Sequence, residues 1–239
     1  MDHIAVPRCA DMPQAVHTIR TVPLDNLRDA GWLESCLLPF LGLNDEMLHE
    51  FPRDLYPWCG HGLKSWQYPI QFSHYLVHLS TLGIATYAEV GCRHGGTFII
   101  TVEYLKRFGD LRRAAAIDLQ DSATLRDYAA LQDFDYLVDS SQSPPVLAYL
   151  NETMWDLVLI DGDHSLSGCL HDYAAVKNTA RRIALHDIGN DACGGVVQVW
   201  KLIEGVMPAN RLFTRLDQYS DVNDRTGRQF LGLGIVDFT

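Results

Sequence analysis

Thr86-Tyr87-Ala88-Glu89-Val90-Gly91-Cys92-Arg93-His94-Gly95-Gly96 sets a strand-like run directly against a cluster of three glycines. A helical pattern from Thr97 to about Phe108 follows at once. Strand, glycine turn and helix in that order begin a β-α-β unit, whose helix N-terminus offers unpaired N–H groups to a ligand. Gly91 permits a tight turn, and Gly95 with Gly96 lets backbone come close to that ligand. The spacing is GxxxGG, not the GxGxxG of a dinucleotide fingerprint. Alone it fits a nucleotide-like ligand without naming one.

Outward from this turn the chain alternates. Phe72, Tyr75, Leu76, Leu79 and Leu82 recur at helical spacing, predicting a helix over 71–82 ended by Gly83. Strands are predicted at 114–118, 134–138, 155–161 and 182–186, with helices over 123–132, 166–179 and 194–206 between or after them. Such alternation implies an α/β fold with a parallel sheet covered on both faces. Two strands close the chain, 212–216 and 229–238, separated by the turn-rich stretch 221–227. A terminal pair of this kind makes the sheet seven-stranded and mostly parallel, with a C-terminal antiparallel strand. Residues 1–70 differ, being rich in Pro, Leu and Trp. Leu24, Leu27, Trp32, Leu33, Leu37 and Leu38 suggest one apolar face, Pro39, Pro52, Pro57 and Pro69 punctuate the rest, and 56–62 reads as a loop. The expected organisation is an N-terminal helical cap, 1–70, before a ligand-binding domain, 71–239.

Composition narrows the class. Of 239 residues, 47% are hydrophobic and 21% charged, which is ordinary for a folded globular chain. A net charge of −11 argues against a nucleic-acid partner, which needs concentrated basic surface. The six cysteines at 9, 36, 59, 92, 169 and 193 form no CxxC pair and read as reduced, mostly buried thiols. Met1–Ile4 carry no basic leader, and no apolar run reaches membrane-spanning length, so a cytoplasmic protein without a membrane partner is expected.

Strand ends supply the ligand's identity. Asp118 ends the second strand, 27 residues after Gly91, where an acid can hydrogen-bond both hydroxyls of a ribose. Ser141 and Gln142 follow the third strand and can border an adenine, while Glu89 can meet the ligand's amino-acid end or order the loop. Together with Arg93 and Thr97 these residues describe a site for S-adenosylmethionine. At the fourth and fifth strand ends lie Asp161-Gly162-Asp163-His164 and His186-Asp187. Carboxylates with a histidine suit a divalent ion that keeps open positions for substrate. Such an ion lowers the pKa of a coordinated hydroxyl, and a neutral histidine beside it can take the proton. Asp163 has an equally ordinary reading as a helix-capping acid.

Trp155-Asp156-Leu157-Val158-Leu159-Ile160-Asp161-Gly162-Asp163-His164-Ser165 resembles the IDGDHSY signature of class I methyltransferases grouped with macrocin O-methyltransferase and the cephalosporin hydroxylase-like proteins. The resemblance spans roughly 64–205 and takes in Gln67-x-Pro69, the Glu89–Gly96 loop, His186-Asp187-Ile188, Gly195-Val196 and Trp200. It implies the Rossmann-like methyltransferase fold, magnesium at Asp161 and Asp187, and methylation of hydroxyls on sugars or other small molecules such as natural products. A more distant similarity to catechol O-methyltransferase aligns its first metal-ligand acid with Asp161, its catalytic lysine with His164 and its adenine-side Ser-Gln with Ser141-Gln142. Departures are Leu166 where the signature has Tyr, Lys177–Arg182 in place of a GG turn, and Ile188 where catechol-type enzymes carry an asparagine ligand.

The leading expectation is therefore a Mg2+-assisted O-methyltransferase. Asp161 and Asp187 hold the metal, with His186 as further ligand or second base. His164 is the favoured base, and Asp161 also borders the cofactor. Trp58, His61, Trp66 and Tyr68 of the cap would cover the methyl acceptor. Two alternatives stand beside it: a metal-independent enzyme using His164 or His186 directly, and a non-catalytic partner protein. The apolar cap also suits a homo-oligomer.

Overall fold

The computed structural model describes residues 7–109 and 111–239, so Met1–Ile4 lie outside the described residues. Strands β1 (Thr86–Val90), β2 (Arg113–Asp118), β3 (Asp135–Val138), β4 (Leu157–Ile160), β5 (Arg182–His186), β6 (Leu212–Arg215) and β7 (Leu233–Asp237) form one sheet. Their order is β3-β2-β1-β4-β5-β7-β6. The first five pair in parallel, and β7 runs antiparallel between β5 and β6. Strand order reverses between β1 and β4, which opens a crevice beyond their carboxyl ends.

Alternation along the strands feeds two apolar layers. Tyr87, Leu157, Leu159 and Ile235 point to one face, where Phe72, Phe98 and Leu105 meet them. Ala88, Val90, Val158, Ile160 and Ile183 point to the other, beneath Val146, Cys169, Val199 and Trp200. The covering helices are α5 (Pro69–Leu79), α6 (Gly96–Phe108), α7 (Ala123–Ala129), α8 (Pro144–Glu152), α9 (Leu166–Val176) and α10 (Gly194–Val206). Among the described residues no helix is long and apolar enough to cross a membrane.

Several elements differ from the sequence expectation. No helix is predicted between 138 and 155, but Pro144-Pro145 opens α8, since proline at the first turn lacks only an N–H that has no helical partner anyway. Ser143 caps that helix by accepting the Val146 N–H. The stretch 221–227, expected as turns, folds as α11 (Ser220–Thr226) and ends at Gly227 in the left-handed region. The last strand shrinks to β7, preceded by Leu231 and Gly232 at φ +58° and +116°.

The N-terminal segment begins with an unexpected helix, α1 (Met12–Thr21), capped by the Asp11 carboxylate on the Gln14 N–H. Short helices follow: α2 (Leu24–Leu27), α3 (Ala30–Trp32), a π turn over Leu33–Leu37, and α4 (Leu38–Leu41). The single apolar face expected over 24–38 is thus broken into pieces. Leu27, Leu33, Leu37 and Leu38 are buried in the same apolar layer as α5, whereas Leu24 is exposed. Arg20 of α1 reaches the buried Glu103 carboxylate of α6 at 2.6 Å. Residues 53–58, partly inside the expected loop, form a 3-10 helix.

Candidate active site

The carboxyl ends of β1 to β5 line one cavity of about 790 Å³. Gly91, at φ +87°, lies where a Cβ would stand 2.1 Å from the Asp161 carbonyl oxygen, so only glycine lets the β1 and β4 loops meet. At Gly96 a Cβ would come within 2.3 Å of the Leu63 carbonyl oxygen, and at Gly95 it would strike Leu125. Both glycines thus admit close approaches from protein groups. Both stand at the start of α6, and Gly96 and Thr97 line the cavity, with Thr97 Oγ1 3.4 Å from Ser65 Oγ.

Asp118 is fixed by backbone. Its Oδ2 accepts the Arg93 N–H at 2.6 Å and its Oδ1 the Gln120 N–H at 2.7 Å, which leaves lone pairs of both oxygens for hydroxyl groups. Ser141 and Gln142 line the cavity beside it. Glu89 is 1% exposed and accepts the Tyr87 hydroxyl at 2.5 Å; burial pushes its carboxyl up to about 8. Arg93 turns its side chain away to Glu46 and across the Trp66 ring, 5.1 Å from its centroid. His94 Nε2 meets the same Glu46 at 2.6 Å. The Arg93 hydrogen bond, against a burial penalty and helped by His94, lowers the Glu46 pKa.

Across the cavity Asp161, His164, His186 and Asp187 converge. His186 Nδ1 lies 3.0 Å from Asp161 Oδ1 and 3.7 Å from Asp187 Oδ1. His164 Nε2 stands 3.4 Å from Asp161 Oδ1 and 3.4 Å from Asp187 Oδ2. Burial alone would raise the Asp161 carboxyl, but the His186 charge and hydrogen bonds to His164 and His186 outweigh it and hold Asp161 at about 2. The His164 imidazole is pushed up to about 10, first by its hydrogen bond to Asp161 and then by Cys193. His186 reaches about 9, because Asp161 and Asp187 outweigh a burial penalty that acts the other way. Asp163 also lines the cavity, yet its carboxylate accepts the Ser165 N–H at 2.8 Å and serves its own loop.

Three participants were not read from sequence. Asn190 Nδ2 donates to Asp187 Oδ1 at 2.9 Å, from two positions beyond the residue where an asparagine would be sought. Cys193 Sγ touches both His164 Nδ1 and Asp187 Oδ2 at 3.2 Å, and burial pushes its thiol pKa up. Glu50 lines the cavity and takes the Trp66 Nε1–H at 3.0 Å. Of the cap aromatics expected there, only Trp66 lines the cavity. Trp58 binds the Pro7 carbonyl, His61 meets Arg8, and Tyr68 is buried on the Glu50 carbonyl.

Among the described residues four non-glycines have positive φ: Lys64, Arg93, Asp187 and Leu231. All four line this cavity, the pattern expected where a site stores backbone strain. Asp161, His186 and Asp187 also bring ligand atoms within 4.8 Å of one another, and His186 Nε2 is buried without a partner. Two carboxylates and an imidazole at that spacing fit a divalent cation.

No protein-family model matches the chain, and no curated protein is similar to it in sequence. In shape it is similar to the O-methyltransferase TomG from Streptomyces achromogenes, involved in tomaymycin synthesis and solved with SAM. That likeness has a TM-score of 0.53 at 14% identity, over 85% of this chain and 95% of the other. Cofactor-bound Rv0187 from MTB gives a TM-score of 0.50 at 16% identity, over 68% of this chain and 78% of the other. With its strand order and antiparallel β7, the chain has the Rossmann-like fold of class I methyltransferases.

Proposed function

We propose that this chain is an S-adenosylmethionine-dependent methyltransferase, and more narrowly a cation-assisted O-methyltransferase acting on a hydroxyl of a sugar or natural product. One observation carries the reading. Asp118, a strand-end acid with lone pairs left on both oxygens, and a cluster of two carboxylates with two imidazoles line one cavity. Arg93, Gly96, Thr97, Ser141 and Gln142 are assigned to the cofactor side, with Glu89 and Asp161 towards its methionine end. Asp161 and Asp187, with His186, would hold Mg2+ or another divalent ion. When bound, that ion supplies a positive charge that lowers the pKa of the acceptor hydroxyl.

The acceptor oxygen attacks the sulfonium methyl carbon, the carbon–sulfur bond breaks, and S-adenosylhomocysteine leaves. His164 is the favoured base because its side chain is 40% exposed and can pass a proton to solvent, whereas that of His186 is 3% exposed. Asn44, Glu46, Met47, Glu50, Lys64 and Trp66 line the same cavity, which supports residues 1–70 as the cap over the acceptor. The 3.0 Å His186–Asp161 pair also allows a second reading, a cation-free enzyme with a histidine base, whose rate must then rise towards pH 9, where that imidazole gives up its proton.

Methyl transfer to a panel of hydroxylated small molecules, with and without chelator, separates the readings. Transfer is expected to stop in chelator and return on adding a divalent ion. Full activity in chelator leaves the histidine base alone, and no binding of S-adenosylmethionine at millimolar concentration removes the enzyme.

A further inference from the structure

Cys193 has no part in that reaction, yet it sits at the cluster. It precedes α10, is 7% exposed and lines the cavity. Its position is built from both sides. The Cys193 N–H donates to the Asn190 carbonyl at 2.9 Å, within the turn whose Asn190 side chain holds Asp187. At Gly195 a Cβ would come within 2.5 Å of the His164 carbonyl oxygen, so glycine brings the start of α10 against the His164 turn.

Asp187 is thereby shared by two donor groups, Asp161–His186–Asp187 and His164–Asp187–Cys193. Ligands held at about 2.0–2.3 Å around one tetrahedral ion stand roughly 3.3–3.7 Å apart. Here Cys193 Sγ stands 3.2 Å from both Asp187 Oδ2 and His164 Nδ1, His164 Nε2 is 3.4 Å from the same Oδ2, and His186 Nδ1 is 3.7 Å from the other oxygen, Oδ1. The donor types point away from a hard ion. Magnesium selects oxygen ligands in near-octahedral geometry and keeps its waters. Thiolate and imidazole suit zinc, cobalt or iron(II).

We infer that the cation of this site is a borderline divalent ion of the zinc class, with the Cys193 sulfur as a ligand beside Asp187. The inference rests on the proposed cation site at Asp161 and Asp187, but the sulfur's role is separable from it. The thiol proton leaves on binding, because the thiolate is the ligand.

Metal-stripped full-length protein titrated with cobalt(II) tests this without any turnover. A near-ultraviolet thiolate-to-cobalt charge-transfer band is expected, with zinc displacing cobalt and a large excess of magnesium failing to do so. The band should vanish in Cys193→Ser and survive Cys36→Ser. Cobalt affinity should fall at least about 10-fold in Cys193→Ser, since even outer-shell partners of metal ligands are worth roughly 10–100-fold. Retained S-adenosylhomocysteine binding certifies the fold of Cys193→Ser. Cobalt bound through Asp161 and Asp187 without the band overturns the sulfur ligand and leaves the cation site standing. Absence of cobalt, zinc and magnesium binding overturns both.

Discussion

The two sides of the cavity are held together by opposite means. On the side assigned to the adenosyl group, Asp118 is clamped by two backbone N–H groups, and Ser140 and Ser143 tie Asp139 into the β3 loop. Those groups are half or fully exposed, and each hydrogen bond stands largely alone. On the side assigned to the cation, His186 and Asp187 are buried and Asp161 is nearly so, and each charge is stabilised by its neighbours. Removing one member of a buried charge cluster leaves the rest uncompensated, whereas removing one exposed contact costs little more than that contact. One side is modular and the other cooperative.

The largest effect should come from the cooperative side. Asp187→Asn keeps a residue that tolerates the positive φ of position 187 but removes a charge. Turnover is expected to drop by about 100-fold or more, the order seen when one transition-state charge contact is lost. Calorimetry should find S-adenosylhomocysteine affinity unchanged; a parallel loss of cofactor would erase the distinction between the two sides. On the modular side, Asp118→Ala should weaken S-adenosylhomocysteine by roughly 10–100-fold, since hydrogen bonds to a charged group contribute about 1.5–3 kcal/mol. Rate at saturating cofactor should barely move.

On the proposed reading, proton and cation compete for the same cluster. Without the ion, His164 and His186 hold protons to about 10 and about 9, above the roughly 6.5 of a free imidazole. Their pairing therefore stabilises the ion-free fold fully below about pH 6.5 and is lost as pH rises through 9 to 10. The Tm of chelator-treated protein should fall from neutral to alkaline pH, while cation affinity rises over the same interval. An affinity independent of pH would mean that the histidines do not contact the ion. The smallest effect is expected at Glu46, whose partner Arg93 has a 53% exposed side chain. Glu46→Gln should lower stability by no more than about 1 kcal/mol, measured by urea unfolding.

Much of this frame was legible from the chain. Buried strands such as Leu157–Ile160 announce themselves by continuous apolar runs, and Asp118, Asp161 and Asp187 follow as strand-end acids. What escaped was set by contacts distant in sequence or by proline and glycine in special places. The His164–Cys193 contact depends on Gly195 admitting another turn, and Glu46 meets Arg93 across 47 positions. The apolar richness of residues 1–70 was plain, but which aromatics face the cavity was not. Tyr68 and Trp66, two apart, pack in the same cluster, yet only Trp66 also reaches the cavity wall.

The most direct test is a crystal structure of the protein with S-adenosylhomocysteine and a divalent ion. The ribose hydroxyls should lie on Asp118, the adenine beside Ser141 and Gln142, and the sulfur should face an ion bridging Asp161 and Asp187. A cofactor bound elsewhere, or a filled adenosyl site whose sulfur points away from that pair, would contradict the account.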